Sequence, residues 1–360
     1  MTGMDGVAEL SRLVVRALGL SSAESDARLV DVLSLTDPPG FKASDQDDPA
    51  VRSFGAGGRH VSFVAAAVRA RLNRVGAAQI LCLHLHLGPV ARLIAARRAP
   101  LVTWLAGIEA WKPLRPLERL ALKRSDLLVS ISAHTARRFR EAHSDFHGRP
   151  IRVCHLAVRE RNDPRVALDP DEQAARFCRE PFALIVGRMA AEERYKGHDL
   201  LIDIWPSVMN QVRGARLVIV GDGNDRARLV SRAAPINDYV SFLGRVSDAV
   251  LAGLYRDCAF FVMPSRDEGF GLVFLEAMRA GKACIGGVGA AAEVIEDGVT
   301  GIVVEQEREE LLRAVLRLFR EPETRDQMGA AGAARVAQEF TETHFRQRFL
   351  AALAHHPGGA

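Results

Sequence analysis

The sequence predicts an α/β protein made of two Rossmann-like, doubly wound domains that face each other across a cleft. Three observations lead there. Short apolar runs alternate with amphipathic stretches, the pattern of parallel strands covered by helices on both faces. At 360 residues the chain is too long for one ordinary core. The alternation is interrupted once, at the charged, proline-containing segment 159–170, and then starts again.

The elements follow in order. Segments 28–35, 79–83, 101–105, 126–131 and 151–156 read as buried strands, with helices at 61–74 and 116–123 among them. After the interruption, strands are expected at 182–187, 215–220, 239–243, 259–264 and 283–286. The predicted domains are 1–160, a linker at 161–176, a second domain at 177–340 and a final segment 341–360. The helix of that segment, near 342–354, is expected to cross back to the first domain. Ligands of such sheets bind outside the carboxyl ends of the strands.

Composition narrows the function classes. With 48 % hydrophobic and 26 % charged residues, the chain reads as a soluble globular protein. No apolar run reaches the length of roughly 18 residues that a membrane span needs. The start, Met1-Thr2-Gly3-Met4-Asp5, lacks the basic and apolar regions of a secretory signal, so a cytoplasmic protein is expected. Cys82, Cys154, Cys178, Cys258 and Cys284 are odd in number, contain no Cys-x-x-Cys pair and read as reduced core residues. The net charge of +4 divides into +8 for residues 1–170 and −4 for 171–360. A basic first half suits a membrane surface or an acidic acceptor, or else ordinary solvated helix faces. Nucleic acid is disfavoured, because aromatics are scarce there and no reading motif occurs.

The chemistry concentrates in residues 261–278. A strand ends at Pro264, a polar turn carries Glu268, and Gly269 and Gly271 let the backbone approach a ligand closely. A helix is expected from about Phe270, whose free N–H groups and positive dipole end suit a diphosphate. Glu276 follows Glu268 by eight residues, about two helical turns. One carboxylate then stands at the helix mouth and the other on the helix body. No cluster of His, Asp and Glu with metal-ligand spacing is evident, so neither metal nor cofactor is expected.

This block, from Glu268 through Glu-Gly-Phe-Gly to Glu276, resembles the hallmark of glycosyltransferase family 4, retaining enzymes of the GT-B fold. The resemblance extends over most of 180–304. It includes Gly187-Arg188, Lys196-Gly197-His198-Asp199, Gly221-Asp222-Gly223, Phe242-Leu243-Gly244-Arg245-Val246 and Glu293-Val294-Ile295-Glu296-Asp297-Gly298-Val299-Thr300-Gly301. The resemblance implies that 177–340 binds a nucleotide-diphosphate sugar and that 1–160 binds the acceptor. Arg188 and Lys196 would grip the diphosphate, and Glu268 would contact sugar hydroxyls near the reacting carbon. Gly187, Gly269, Phe270, Gly271 and Leu272 would shape the donor pocket. Glu276 would hold the ribose, and the backbone at Arg245 and Val246 would line the base. The implied activity is hexosyl transfer from a UDP- or GDP-linked co-substrate, in bacterial polysaccharide or glycolipid assembly. Taken alone, Gly221-Asp222-Gly223 reads as the turn after a strand, and His198 as a capping or packing residue.

The first half carries a thinner signal. Gly3 to Arg12, including Gly6, resembles the family's glycine-rich loop entering the first helix, but only two residues precede it, where relatives have a strand; either the true start lies upstream or another segment fills the centre of the sheet. Residues 102–111 match a segment that in relatives carries a histidine where this chain has Ala106. His84 and His86, at a strand end, are the nearest substitutes, and Glu109 is an acceptor-side candidate. The basic, apolar stretch 111–124 is a candidate for peripheral contact with anionic membrane, and a soluble acceptor is the alternative. Two rival readings remain: a nucleotide-sugar epimerase of the same architecture, and a non-catalytic sugar-nucleotide binder.

Overall fold

The computed structural model describes residues 6–22, 30–43, 51–72, 79–95, 99–159 and 180–354. The expected linker at 161–176, and Cys178, lie outside them. The chain divides into two compact units, Met1–Leu156 with Glu342–Ala360, and Ala157–Thr341.

Unit 1 opens with α1 (Gly6–Ser22), β1 (Val30–Ser34), β2 (Gly40–Ala43), β3 (Val51–Gly55), α2 (His60–Leu72), β4 (Ile80–Cys82) and α3 (Gly88–Ile94). It continues with β5 (Leu101–Leu105), α4 (Pro116–Lys123), β6 (Leu127–Ser130), α5 (Ala133–Ala142) and β7 (Ile151–Val153). Its strands form two sheets among the described residues, ordered β1-β3-β2 and β4-β5-β6-β7. The second is parallel throughout, and β5 and β6 are buried along their whole length, which accounts for their unbroken apolar runs. In the first, β2 runs antiparallel to β3, a pair too short and polar to be read from the sequence. Helix α4 starts where Pro116 occupies its first turn and the Glu118 carboxylate accepts from the Arg115 N–H at 2.8 Å.

Unit 2 contains β8 (Phe182–Val186), α6 (His198–Met209), β9 (Arg216–Val220), α7 (Arg226–Ala233), β10 (Val240–Gly244), α8 (Asp248–Asp257) and β11 (Phe260–Met263). It continues with α9 (Leu272–Arg279), β12 (Cys284–Gly287), α10 (Ala291–Val294), β13 (Gly301–Val304), α11 (Arg308–Arg320) and α12 (Pro322–Glu339). Its strands form one parallel sheet in the order β10-β9-β8-β11-β12-β13. From β8 the chain winds outward through β9 and β10, then returns to β11 and winds the other way. The strands β8 and β11 are therefore neighbours whose connections leave in opposite directions, and the carboxyl ends of such a pair form the ligand crevice of a doubly wound sheet.

Helix α13 (Glu342–Ala354) belongs to unit 1 and packs on α1. Its Phe345 and Phe349 rings stack 5.9 Å apart and lie 6.4 and 6.3 Å from the buried Trp104 ring of β5. Arg152 donates to the carbonyl of Ala352 at 2.6 Å, which satisfies one of the open acceptors at this helix end.

Candidate functional site

Three loops meet at the carboxyl ends of β8, β9 and β10. The Gly187 N–H donates to Val220 O at 3.0 Å, the Met189 N–H to Asp222 O at 3.0 Å, and the Gly221 N–H to Gly244 O at 2.8 Å. These bonds lay the backbone of Arg188 over the 221–223 turn and tie that turn to the strand end preceding Arg245 and Val246. Arg245 is exposed and Val246 half-buried. Gly221-Asp222-Gly223 is thus the floor on which the Arg188 loop rests.

The β8 loop continues through a short helical turn, 191–196, to Lys196. There it meets the loop after β11. The Lys196 ammonium donates to Glu268 Oε1 at 2.7 Å, and both side chains are only 14 % exposed, so the pair is shielded from bulk water. Three further contacts hold the two loops together. The Arg266 N–H donates to Tyr195 O at 3.1 Å. The Gln306 amide, just beyond β13, donates to Tyr195 O at 2.7 Å and to Pro264 O at 2.5 Å. Neither Tyr195 nor Gln306 stood out in the sequence. Tyr195 accepts through its own main-chain carbonyl and the Gln306 amide donates to carbonyls, contacts that leave no compositional trace.

Arg188 points differently. It is 67 % exposed and ion-paired with Glu193 of its own loop. The cation brought onto Glu268 is Lys196.

Helix α9 begins at Leu272, two residues later than the sequence suggested. Gly271 takes a left-handed conformation, φ +91°, and forms the N-cap, so helical geometry cannot start before it. A Cβ at Gly271 would lie 2.6 Å from the Phe274 ring. Phe270 is buried with its ring 6.1 Å from Phe340, so its side chain serves the core and its backbone the turn. Leu272 and Glu276 are half-buried, and Glu276 accepts from the Tyr255 hydroxyl at 2.9 Å.

Beneath these loops lies a charged lattice. Arg194 and Arg228 both donate to Asp225, and Arg228 also holds Asp199 through two bonds of 2.6 and 2.7 Å. The Arg228 and Arg194 guanidinium groups hold the Asp225 carboxyl well below the usual carboxylate range. Asp225 also stands at the N-cap of α7, and its N–H donates to Met189 O at 2.9 Å. His198 is buried at the start of α6, and its Nε2 has no hydrogen-bond partner among the described residues. Burial, and then the charge of Lys196, push it down to about 4, so the ring is neutral at pH 7.

The acceptor-side candidates lie in unit 1. Gly6 opens α1 and is exposed, while Gly3, Met4 and Asp5 lie outside the described residues. His84 and His86 adjoin, with ring centroids 4.9 Å apart. The Nδ1 of His86 lies 2.8 Å from the buried Glu118 carboxylate, which sequence reasoning had not linked to it. The Ala106 N–H donates to Glu109 Oε1 at 3.1 Å, so Glu109 braces the turn that carries Ala106.

The family model for glycosyl transferases group 1 matches residues 180–321. Among curated proteins, the chain is 31 % identical over 349 residues to a GDP-mannose-dependent alpha-(1-6)-phosphatidylinositol monomannoside mannosyltransferase of Mycobacterium tuberculosis. That match covers 87 % of this chain and 86 % of the relative. It is 30 % identical over 246 residues to the monoacylated-substrate counterpart of Corynebacterium glutamicum, covering 64 % and 63 %. Among solved structures it superposes on sucrose-phosphate synthase from Thermosynechococcus elongatus with a TM-score of 0.72 at 20 % identity, covering 95 % and 92 %. It superposes on Anabaena HepE in complex with UDP and glucose with a TM-score of 0.66 at 21 % identity, covering 84 % and 86 %. With the Glu268–Glu276 block, the switch-point crevice and a relative 31 % identical over 87 % of the chain together, the chain belongs to glycosyltransferase family 4 and is a glycosyltransferase of the GT-B fold.

Proposed function

We propose that the protein transfers a hexosyl group from a nucleotide-diphosphate sugar to a hydroxyl of a glycolipid or polysaccharide precursor, with retention of configuration. GDP-mannose is the first donor to test, since the M. tuberculosis and C. glutamicum relatives are named for its use. The observation that carries this reading is the shielded Lys196–Glu268 pair at the mouth of α9. An ammonium has three donors, so Lys196 can keep one on Glu268 and turn others to phosphate oxygens as charge develops on the leaving diphosphate. The N-terminal N–H groups of α9 add a second source of positive potential. Glu268, oriented by Lys196 and by Ser265 Oγ at 3.4 Å, is then available to the sugar hydroxyls. Arg188, whose guanidinium also pairs with Glu193, is the second cation of this reading.

The test is a transfer assay over GDP-mannose, UDP-glucose and dTDP-glucose, with a lipid-extract acceptor, and anomeric assignment of the product by NMR. Ligand-induced thermal shifts give a parallel ranking of donors. A shift with none of the three, together with no transfer, would sink the donor-site reading; an inverted product would sink retention alone.

The reading includes peripheral contact with the cytoplasmic face of a membrane, and one helix of unit 1 supports the lipid contact. On α4, Leu117 and Leu120 are 65 % and 44 % exposed beside Arg115, Arg119 and Lys123. No helix among the described residues is long and apolar enough to cross a membrane. Exposed leucines flanked by basic residues suit an anionic lipid interface. Sedimentation with phosphatidylglycerol vesicles should fall with salt and fall further in a Leu117→Ser, Leu120→Ser variant.

A further inference from the structure

We infer that Tyr255 is a positioning residue for nucleotide recognition, because its buried hydroxyl fixes the Glu276 carboxylate that meets the ribose. This rests on the proposed donor site, in which Glu276 takes the ribose hydroxyls.

Tyr255 lies in the last turn of α8 and Glu276 in the middle of α9, so the bond of 2.9 Å joins two helices 21 residues apart in sequence. Tyr255 is only 4 % exposed, and its ring lies 5.9 Å from that of Phe261 on β11. The phenol is therefore anchored by the core and its hydroxyl is carried to a set point. Burial and the adjacent Glu276 charge push its pKa up, so it remains a proton donor.

Glutamate has three side-chain torsions, and freezing a long side chain costs free energy that a ligand otherwise has to supply. A bond from a rigid phenol fixes the carboxylate before the nucleotide arrives. A carboxylate offers about four lone-pair sites, so accepting from Tyr255 leaves capacity for a vicinal diol. A cavity of about 100 Å³ adjoins the pair, lined by Leu251, Ala252, Tyr255, Glu276, Arg279 and Ala280. It has room for about three waters. Without the phenol, water from this side can compete for the carboxylate.

The test compares binding of GDP with 2′-deoxy-GDP, and of UDP with 2′-deoxy-UDP, in wild type, Tyr255→Phe and Glu276→Ala. The expectation is that wild type prefers the ribonucleotide, Glu276→Ala abolishes the preference, and Tyr255→Phe narrows it by about tenfold, the scale of one charge-assisted hydrogen bond. The donor KM should rise in Tyr255→Phe with kcat within about twofold, because the contact is made equally in ground and transition states. A merely structural tyrosine would lower Tm and leave the ribose preference intact, and that result overturns the inference. If Glu276→Ala leaves the preference intact, the ribose reading fails and the inference fails with it. A second readout keeps a phenol hydroxyl at position 255. The chain has only three tyrosines, so 3-fluorotyrosine labelling gives three 19F resonances, assigned with Tyr195→Phe and Tyr239→Phe. The Tyr255 resonance should move with the ribonucleotide and far less with its 2′-deoxy analogue; equal movement with both overturns the inference.

Discussion

Gly221 lies so close beneath Gly187 that a Cβ on it would meet the Gly187 carbonyl oxygen at 2.0 Å. With φ at +132°, the position also has a backbone conformation that L side chains rarely adopt. Gly221→Ala should therefore lose more than about 2 kcal/mol of stability through strain and displaced backbone. Because the Arg188 loop rests on this turn, donor-induced thermal shift should disappear along with it. A variant with wild-type melting and donor binding would show the approach to be dispensable.

The Lys196–Glu268 pair predicts non-additive kinetics. Lys196→Ala leaves a shielded carboxylate without its cation, and Glu268→Ala does the reverse, so each should lower kcat/KM by about 10²–10³. The double variant should be scarcely worse than either, as expected of residues that act as a unit. Steady-state kinetics on all four proteins decides it, since multiplying effects would mean independent roles.

Asp225 predicts acid sensitivity. Its folded pKa is depressed, first by hydrogen bonds from Arg228 and then by those from Arg194. Its contribution is therefore complete above the unfolded carboxyl value, about 3.9, and lost as pH falls through the depressed folded value. Urea melts of wild type and Asp225→Asn should be separated by a constant gap above about pH 5 that closes below about pH 4. A gap that widened on acidification would contradict the assignment.

His198 predicts a slope in a different window. Its folded value is depressed from 6.5 to about 4 by burial and then by Lys196, with Asp199 and Asp225 acting in the opposite sense. Between these values the unfolded chain binds the extra proton, so stability rises with pH by up to one proton's worth and is flat below about 4. His198→Gln should remove that slope, read from urea melts between pH 4 and pH 6.5.

The strands of unit 2 were legible because both faces of a parallel sheet are covered. Phe182–Val186 and Phe260–Met263 are apolar at every position and can hardly be anything else. The strand Gly301–Val304 was not anticipated, since its first residue closes the Gly298–Gly301 turn and only four residues remain in the sheet. The helix start slipped from Phe270 to Leu272 because a glycine in a motif does not announce the sign of its φ. In the site, residue types were readable and partnerships were not. Lys196 and Arg188 look equivalent as cations, yet only tertiary packing assigns Glu268 to the first and Glu193 to the second. Tyr255, Gln306 and Glu118 were missed for the same reason: their partners lie 21 to 111 residues away.

The return of α13 to unit 1 decides how the gene can be divided. Residues 157–341 form one uninterrupted stretch, so two cuts excise that unit whole. A fragment ending at Leu156 would instead strip Phe345 and Phe349 from Trp104 and leave a fully buried indole facing solvent. A usable N-terminal fragment has to carry the C-terminal helix on a short artificial tether, or be co-expressed with it as a separate peptide.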